Sequence, residues 1–205
     1  MTIIVAVKTD ERIIIGADKR VTEDDTIVSE NTSKILVKDL TVESFIKNNE
    51  YEQFLIAFSG VTSLLELLKT FTPPHKDAND SFMEYLYKIF IPKLNSHLQN
   101  YNFIKNYNNG QTGVEWELLI AYKHQLFLVE FNLGIVEINT PYYATGAPRD
   151  IALGSLYTTS QDDSITSNGY KVATAIRACA AHHVLCNDDF ELYTINTDGK
   201  IEQYR

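Results

Sequence analysis

Two apolar runs near the amino terminus, Ile3–Val7 and Ile13–Ala17, constrain the fold of this sequence more than any other feature. A charged turn, Thr9–Arg12, separates them. Neither run alternates polar with apolar residues, which predicts strands buried on both faces rather than strands with one face in water. Because the two runs are so close in sequence, they are expected to pair as a hairpin.

Polar residues lie at the ends of these runs. Thr2 precedes the first run, and Asp18 and Arg20 follow the second. Lys34 begins a third apolar run, Lys34–Val37. The ends of strands are where a rigid sheet can present chemical groups to solvent. These four residues are therefore candidates for a site.

Thr2 is the most informative of them, because an initiator methionine before a small residue is usually removed. We therefore expect Met1 to be removed. An amino-terminal threonine carries a nucleophilic hydroxyl and an amine whose reference pKa of about 7.7–8.0 lets it act as a base near neutral pH. If Lys34 is close, its charge favours the neutral amine, and Asp18 would compensate the charge of the lysine.

This segment resembles the proteasome β-subunit family and its bacterial relative, the HslV peptidase, which are N-terminal-nucleophile hydrolases. In that family the nucleophilic threonine is followed sixteen residues later by an acid and thirty-two residues later by a lysine. Thr2, Asp18 and Lys34 have both spacings. The stretch GADKR matches the strand-end motif of the family, in which an arginine, here Arg20, follows two residues after the acid.

Three later stretches continue the resemblance in family order. Leu55–Gly60 resembles an apolar strand that ends at the glycine of the oxyanion hole. Tyr143–Tyr157 is similar to a turn of small residues that leads into a helix, and Phe190–Ile195 is similar to the closing strand. The resemblance implies that the N–H group of Gly60, or of its neighbour, stabilises the oxyanion of an attacked carbonyl.

The chain departs from the family at three supporting positions. Ala147 stands where the family usually has a serine whose hydroxyl lies near the threonine amine. His183 and Cys186 stand where the family commonly has an aspartate and a serine. Either His183 or Asp188 could supply a replacement polar group, or the supporting network is lost.

We predict a single domain over residues 1–205, with residues 39–53 as a polar surface insertion that is longer than the matching connection in the family. The order of strand blocks and helix pairs predicts two stacked sheets between helix layers. The resemblance implies an α+β fold, the four-layer αββα sandwich of proteasome-like N-terminal-nucleophile hydrolases, with two mainly antiparallel sheets.

A second sheet of about four strands is predicted from Val114–Tyr122, Leu126–Phe131, Ile135–Ile138 and Tyr142–Thr145. Helices are predicted at Thr62–Phe71, from an N-cap at Ser81 to about Asn100, at Arg149–Thr159 and at Asn168–Cys186.

Charge and composition exclude several classes of function. The net charge of −9 argues against nucleic acid or an anionic membrane surface as a partner. No apolar run approaches the roughly 20 residues of a membrane-spanning helix, and the amino terminus does not resemble a signal peptide. Cys179 and Cys186 lie on one predicted helix, too far apart for a disulfide, and two reduced thiols suit a cytoplasmic protein.

The resemblance implies a threonine peptidase that acts on peptides or unfolded proteins through an acyl ester, with no metal or organic cofactor. It also implies a homo-oligomeric ring of β-type subunits, since the chain has neither a long propeptide nor the leading helix of α-type subunits, and an ATP-dependent unfoldase as a partner. Two alternatives remain open. The chain could be a catalytically inactive assembly or regulatory protein, or a transpeptidase or ligase that resolves the Thr2 ester with an amine.

Overall fold

The two amino-terminal apolar runs form neighbouring antiparallel strands in the middle of a sheet, as predicted. In the computed structural model of this chain, the structure describes residues 2–23, 26–41, 52–101, 105–106, 112–113 and 116–204. The strands are β1 (Ile3–Lys8), β2 (Arg12–Asp18), β3 (Val21–Glu23), β4 (Thr26–Ser29), β5 (Ile35–Leu40), β6 (Glu52–Gly60), β7 (Lys105–Asn106), β8 (Thr112–Gly113), β9 (Trp116–Tyr122), β10 (Gln125–Val129), β11 (Ile135–Glu137), β12 (Tyr142–Gly146), β13 (Phe190–Asn196) and β14 (Ile201–Tyr204).

The helices cover the outer faces of the sheets. They are α1 (Thr62–Thr70), α2 (Phe82–Tyr85), a π-helical turn (Leu86–Phe90) that leads into α3 (Ile91–Gln99), α4 (Arg149–Gln161) and α5 (Asn168–His182). The predicted capping box is present, since the hydroxyl of Ser81 accepts the N–H of Glu84 and the Glu84 carboxylate accepts the N–H of Ser81. None of the helices in the described ranges is long and apolar enough to cross a membrane.

Two antiparallel five-stranded sheets form the centre of the described structure. The first has the order β12-β1-β2-β13-β14 and the second the order β11-β10-β9-β6-β5. The predicted grouping of the second sheet was therefore wrong in one strand. Tyr142–Thr145 belongs to β12, which crosses to the first sheet and pairs with β1, while β5 and β6 complete the second sheet. The prediction placed β12 beside β11, its neighbour in sequence. In the structure β12 instead pairs with the edge of β1 along its whole length, from Ile3 opposite Gly146 to Val7 opposite Tyr142.

Three apolar layers hold the sheets and helices together. One layer lies between the sheets and includes Ile4 and Leu119. A second packs the other face of the second sheet against α1, α2 and α3, and a third packs the other face of the first sheet against α4 and α5. This arrangement is the four-layer αββα sandwich. It explains why β1 is apolar at every buried position, because Ile3 and Val5 face the helices while Ile4 faces the second sheet.

Several predicted boundaries differ from the structure. Helix α5 ends at His182, because His183 adopts an extended backbone, so Cys186 is not on this helix and the helical reason for excluding a disulfide was wrong. Both cysteines are nevertheless free and buried. The ends of the predicted 39–53 insertion belong to β5 and β6, and its residues 42–51 lie outside the described residues.

Two short hairpins were not predicted. β3 pairs with β4 directly after the candidate residues Asp18 and Arg20, and β7 pairs with β8 between α3 and β9. Their strands are only two to four residues long, too short to carry a periodic apolar signal.

Candidate active site

The candidate residues lie at strand ends that meet at one side of the sandwich. Thr2 directly precedes β1, Asp18 ends β2, Lys34 directly precedes β5 and Gly60 ends β6. Thr2, Lys34 and Gly60 line one small cavity, and Thr2 and Gly60 also line a larger adjoining cleft that includes Ala147. Thr2 and Asp18 come from the first sheet, whereas Lys34 and Gly60 come from the second. The two sheets therefore build the site together.

Asp18 and Lys34 form a buried ion pair beneath this cavity. The Lys34 Nζ lies 2.9 Å from the Asp18 Oδ1, and the two side chains are 3% and 0% exposed. The Lys34 Nζ also donates a hydrogen bond to the main-chain oxygen of Arg20 at 2.6 Å. The Asp18 carboxylate in turn accepts the N–H groups of Ile3, at 2.9 Å, and Arg20, at 3.1 Å. This carboxylate thus fixes the lysine and the beginning of β1 in one hydrogen-bond network.

Burial sets the electrostatics of this pair. Loss of hydration lowers the pKa of Lys34 below its ordinary value, and the opposing charge and hydrogen bond of Asp18 only partly offset that effect. The negative charge of Glu191 acts in the same direction as that of Asp18. Lys34 consequently gives up its proton more readily than a lysine in water.

Thr2 is held in place through its own backbone. Its carbonyl oxygen accepts the N–H of Ala147 at 3.2 Å, and Thr2 is 3% exposed. Gly146 has a φ of +111°, and a Cβ at this position would lie 2.0 Å from the carbonyl oxygen of Thr2. Only glycine permits this close approach. Ala147 therefore contributes its main chain to the site, although it lacks the hydroxyl that the family usually has there.

Gly60 lies next to the beginning of a helix. Helix α1 begins at Thr62, its N-cap residue Val61 makes no side-chain capping hydrogen bond, and its first turn has no acidic residue. The first N–H groups of a helix lack partners within the helix and favour a negatively charged group. The junction from Gly60 to Ser63 lines the same cleft as Thr2.

The guanidinium of Arg20 contacts neither Asp18 nor Lys34 among the hydrogen bonds of the described residues, but binds two neighbouring loops. Its Nη1 donates to the carbonyl of Val184 and its Nη2 contacts the Glu30 carboxylate, both at 2.8 Å. Arg20 thereby joins the segment before β5 to the segment after α5. Arg20 contacts the Asp18–Lys34 pair only through its main chain, whose N–H donates to Asp18 and whose carbonyl accepts from Lys34.

The other supporting candidates have different surroundings. Cys186 is buried, and burial together with the nearby charge of Asp18 raises the pKa of its thiol to about 12, so the thiol is protonated at neutral pH. His183 belongs to the turn after α5, where its Nδ1 accepts the N–H of Leu185 at 3.4 Å. Asp188 is exposed to solvent.

Sequence reasoning missed a buried carboxylate, Glu191. This residue lies on β13 and is 5% exposed. Its carboxylate accepts the N–H groups of Lys34 at 2.6 Å and Ile35 at 2.9 Å, and also the hydroxyl of Ser33. Glu191 thereby fixes the main chain of Lys34 to the first sheet. The only signal was an acidic residue within the otherwise apolar strand FELYTI.

Comparison with known proteins identifies the fold. No family model and no curated protein matches the sequence. The structure matches Thiobacillus denitrificans BPH in complex with epoxomicin with a TM-score of 0.72 and 18% identity, covering 96% of this chain and 99% of that chain. A second structure of Thiobacillus denitrificans BPH gives a TM-score of 0.71 and 20% identity, with 96% and 98% covered.

A third solved structure with a similar fold is an HslV protein. Eukaryotic HslV from Trypanosoma brucei matches with a TM-score of 0.62 and 12% identity, covering 95% of this chain and 99% of that chain. The likeness thus spans almost the whole chain at low identity. The chain has the HslV/proteasome-like fold that its sequence resemblance implied.

Proposed function

We propose that this chain is a threonine peptidase in which Thr2, exposed by removal of Met1, is the nucleophile. The observation that carries the proposal is the buried ion pair of Asp18 and Lys34, at 2.9 Å, beside the cavity that Thr2 lines. A buried ion pair is a weak source of stability. Its place at the meeting point of two sheets, next to a hydroxyl and an uncapped helix start, is typical of a catalytic arrangement.

The proposed reaction uses groups of this chain together with water. The Thr2 Oγ1 attacks the carbonyl carbon of a peptide bond while the Thr2 amine, through a water molecule, takes the hydroxyl proton. The N–H of Gly60 and the start of α1 stabilise the oxyanion. The oxyanion collapses to an ester and the leaving amine takes the proton. Water then hydrolyses the ester, which releases the acid and regenerates Thr2.

Lys34 has a defined part in this reaction. A positive charge beside the Thr2 amine disfavours protonation of that amine and so keeps it competent as a base at neutral pH. Asp18 makes the buried lysine charge tolerable and fixes its position. Cys186, with its raised pKa, adds no negative charge at neutral pH.

Maturation and reactivity can be tested in one experiment on the full chain. After production in a host with methionine aminopeptidase, we expect an intact mass lower by one methionine. Incubation with epoxomicin, which was found bound to the similar BPH, is then expected to add the mass of the inhibitor once per chain. A chain that retains Met1, with its Thr2 amine in a peptide bond, and forms no adduct would contradict the proposal.

We further propose that the active protein is a homo-oligomeric ring in the cytoplasm, where the two free cysteines remain reduced, and that an ATP-dependent unfoldase supplies unfolded substrates. Rings follow when a heterologous interface closes on itself. Size-exclusion chromatography with light scattering is expected to give a mass several times 23.3 kDa. A monomer at micromolar concentration would contradict the proposed assembly.

One observation favours a second candidate function, an assembly or regulatory protein without catalysis. Ala147 leaves the cleft without the hydroxyl that would support the Thr2 amine. A ring-sized particle that retains Met1 and forms no epoxomicin adduct would favour this candidate.

A further inference from the structure

A hydroxyl and a carboxylate join the two sheets on the opposite side of Thr2 from Lys34. Thr145 on β12 donates a hydrogen bond from its Oγ1 to the Oε2 of Glu117 on β9. In the first sheet β12 lies next to β1, which follows Thr2, and in the second sheet β9 lies next to β6, which ends at Gly60. The candidate site therefore has a polar contact between the sheets on each of its two sides.

The Glu117 carboxylate lies in a layer of the protein that is otherwise apolar. Leu119 and Ala121 on β9 belong to the layer between the sheets, and strand alternation places Glu117 on the same face. On β12, Tyr143 packs against this layer and Thr145, two residues later, is 1% exposed. Burial raises the pKa of Tyr143, and the nearby charge of Glu117 raises it further. A half-buried carboxylate in this position loses hydration, which costs stability.

Both partners of this hydrogen bond lie next to residues that position the reacting groups. Thr145 comes two residues before Ala147, whose N–H donates to the carbonyl oxygen of Thr2 at 3.2 Å. In the ladder of β6 and β9, Glu117 lies opposite the residue that directly precedes Gly60. The hydrogen bond thus connects the strand that holds Thr2 with the strand that pairs beside Gly60.

From this geometry we propose that Glu117 and Thr145 are positioning residues, whose hydrogen bond sets the distance between the Thr2 hydroxyl and the N–H of Gly60. This inference rests on the proposed function, because it requires Thr2 to attack and Gly60 to stabilise the oxyanion. Neither Glu117 nor Thr145 lines the cavities that contain Thr2 in the described structure, so neither is assigned a contact with the substrate. A misplacement of about 1 Å between reacting groups can cost about 100-fold in rate.

The alternative role for this hydrogen bond is to stabilise the packing of the sheets and nothing more. Buried polar pairs contribute little to stability compared with apolar residues of similar shape, which lose no hydration in such a layer. An apolar pair at these two positions would therefore maintain the packing. The two roles consequently predict different results when both residues are made apolar.

The double variant Thr145→Val with Glu117→Leu separates these roles. We expect kcat on a fluorogenic peptide to fall at least about tenfold with KM nearly unchanged, because the distance affects the reacting groups and not the binding of substrate. The temperature of thermal unfolding is expected to equal or exceed that of the original chain. Because both partners are replaced, no polar group of this pair remains buried without a partner.

Conservative variants of the same two residues test the hydrogen bond itself. Thr145→Ser keeps the hydroxyl and Glu117→Gln keeps an acceptor oxygen, so both are expected to retain most of kcat, whereas Thr145→Val alone should lose it. Tyr122→Phe is the matched control. Tyr122 lies on the same strand, β9, and donates its hydroxyl to the Glu52 carboxylate, but at the end of the strand away from Thr2.

The outcomes separate this inference from the proposed function. If the original chain cleaves the peptide, three results would each overturn the inference alone: an unchanged kcat in the double variant, a loss of kcat matched by a lower unfolding temperature, or the same loss in Tyr122→Phe. Equal losses in Thr145→Ser and Thr145→Val would also overturn it. If the original chain neither cleaves peptides nor forms an epoxomicin adduct, the proposed function fails and the inference fails with it.

Discussion

Replacing Thr2 with alanine is expected to abolish both peptide hydrolysis and epoxomicin labelling, with hydrolysis falling by about 10³-fold or more. The change removes the attacking hydroxyl and leaves the amine, the Asp18–Lys34 pair and the main chain of the cleft in place. Thr2→Ser is expected to keep part of both activities, because the hydroxyl and the amine persist. Initial rates on a fluorogenic peptide and intact mass after inhibitor treatment provide the measurements.

The structure makes this variant a clean test. Thr2 is positioned by the contact between its carbonyl oxygen and the N–H of Ala147, which does not depend on the side chain. Thr2→Ala should therefore fold and assemble like the original chain, as light scattering can verify. Equal hydrolysis by the original chain and Thr2→Ala would rule out Thr2 as the nucleophile.

Lys34→Ala is expected to lower hydrolysis by about 100-fold or more, the scale of general base catalysis. The variant removes the positive charge beside the Thr2 amine and leaves Asp18 buried without its counter-charge. The amine then pairs with Asp18, which raises the pKa of the amine, so the remaining activity should appear at higher pH. A pH–rate profile of both proteins measures the loss and the direction of the shift.

Lys38→Ala is the matched control for the lysine prediction. Lys38 lies on the same strand, β5, but donates its hydrogen bonds to the carbonyls of Lys69 and Phe71, away from the cleft. Because breaking a buried pair costs about 3–5 kcal/mol, thermal unfolding must be recorded for both variants. A folded Lys34→Ala protein with the original rate and pH profile would show that Lys34 has no part in catalysis.

Much of the architecture was predictable because it depends on local signals. The apolar run Ile3–Val7 predicts a strand buried on both faces, and Ser81 with Glu84 predicts the beginning of a helix from capping chemistry alone. The spacing of Asp18 and Lys34 indicated two residues of one site, and the structure brings their side chains into contact.

The remaining features depend on tertiary packing. The partner of β12 is chosen by the open edge of β1, and no property of the segment 142–146 alone specifies it. The Glu191 carboxylate binds the N–H groups of Lys34 and Ile35, which belong to the other sheet. Because this contact forms only when the sheets pack together, the sequence around Glu191 does not predict it. Arg20 illustrates the same dependence, since its main chain contacts Asp18 and Lys34 whereas its guanidinium binds Val184 and Glu30 in the neighbouring loops.

Because the site is divided between two sheets, it cannot form before those sheets pack together during folding. Thr2 and Asp18 belong to one sheet and Lys34 to the edge of the other, where Glu191 fixes it. A newly made chain with its secondary structure formed but its sheets not yet stacked has no Asp18–Lys34 pair. Under the proposed function, such an intermediate would carry the Thr2 hydroxyl and amine without the lysine charge that keeps the amine a base, so peptidase activity would begin only once the two sheets have stacked.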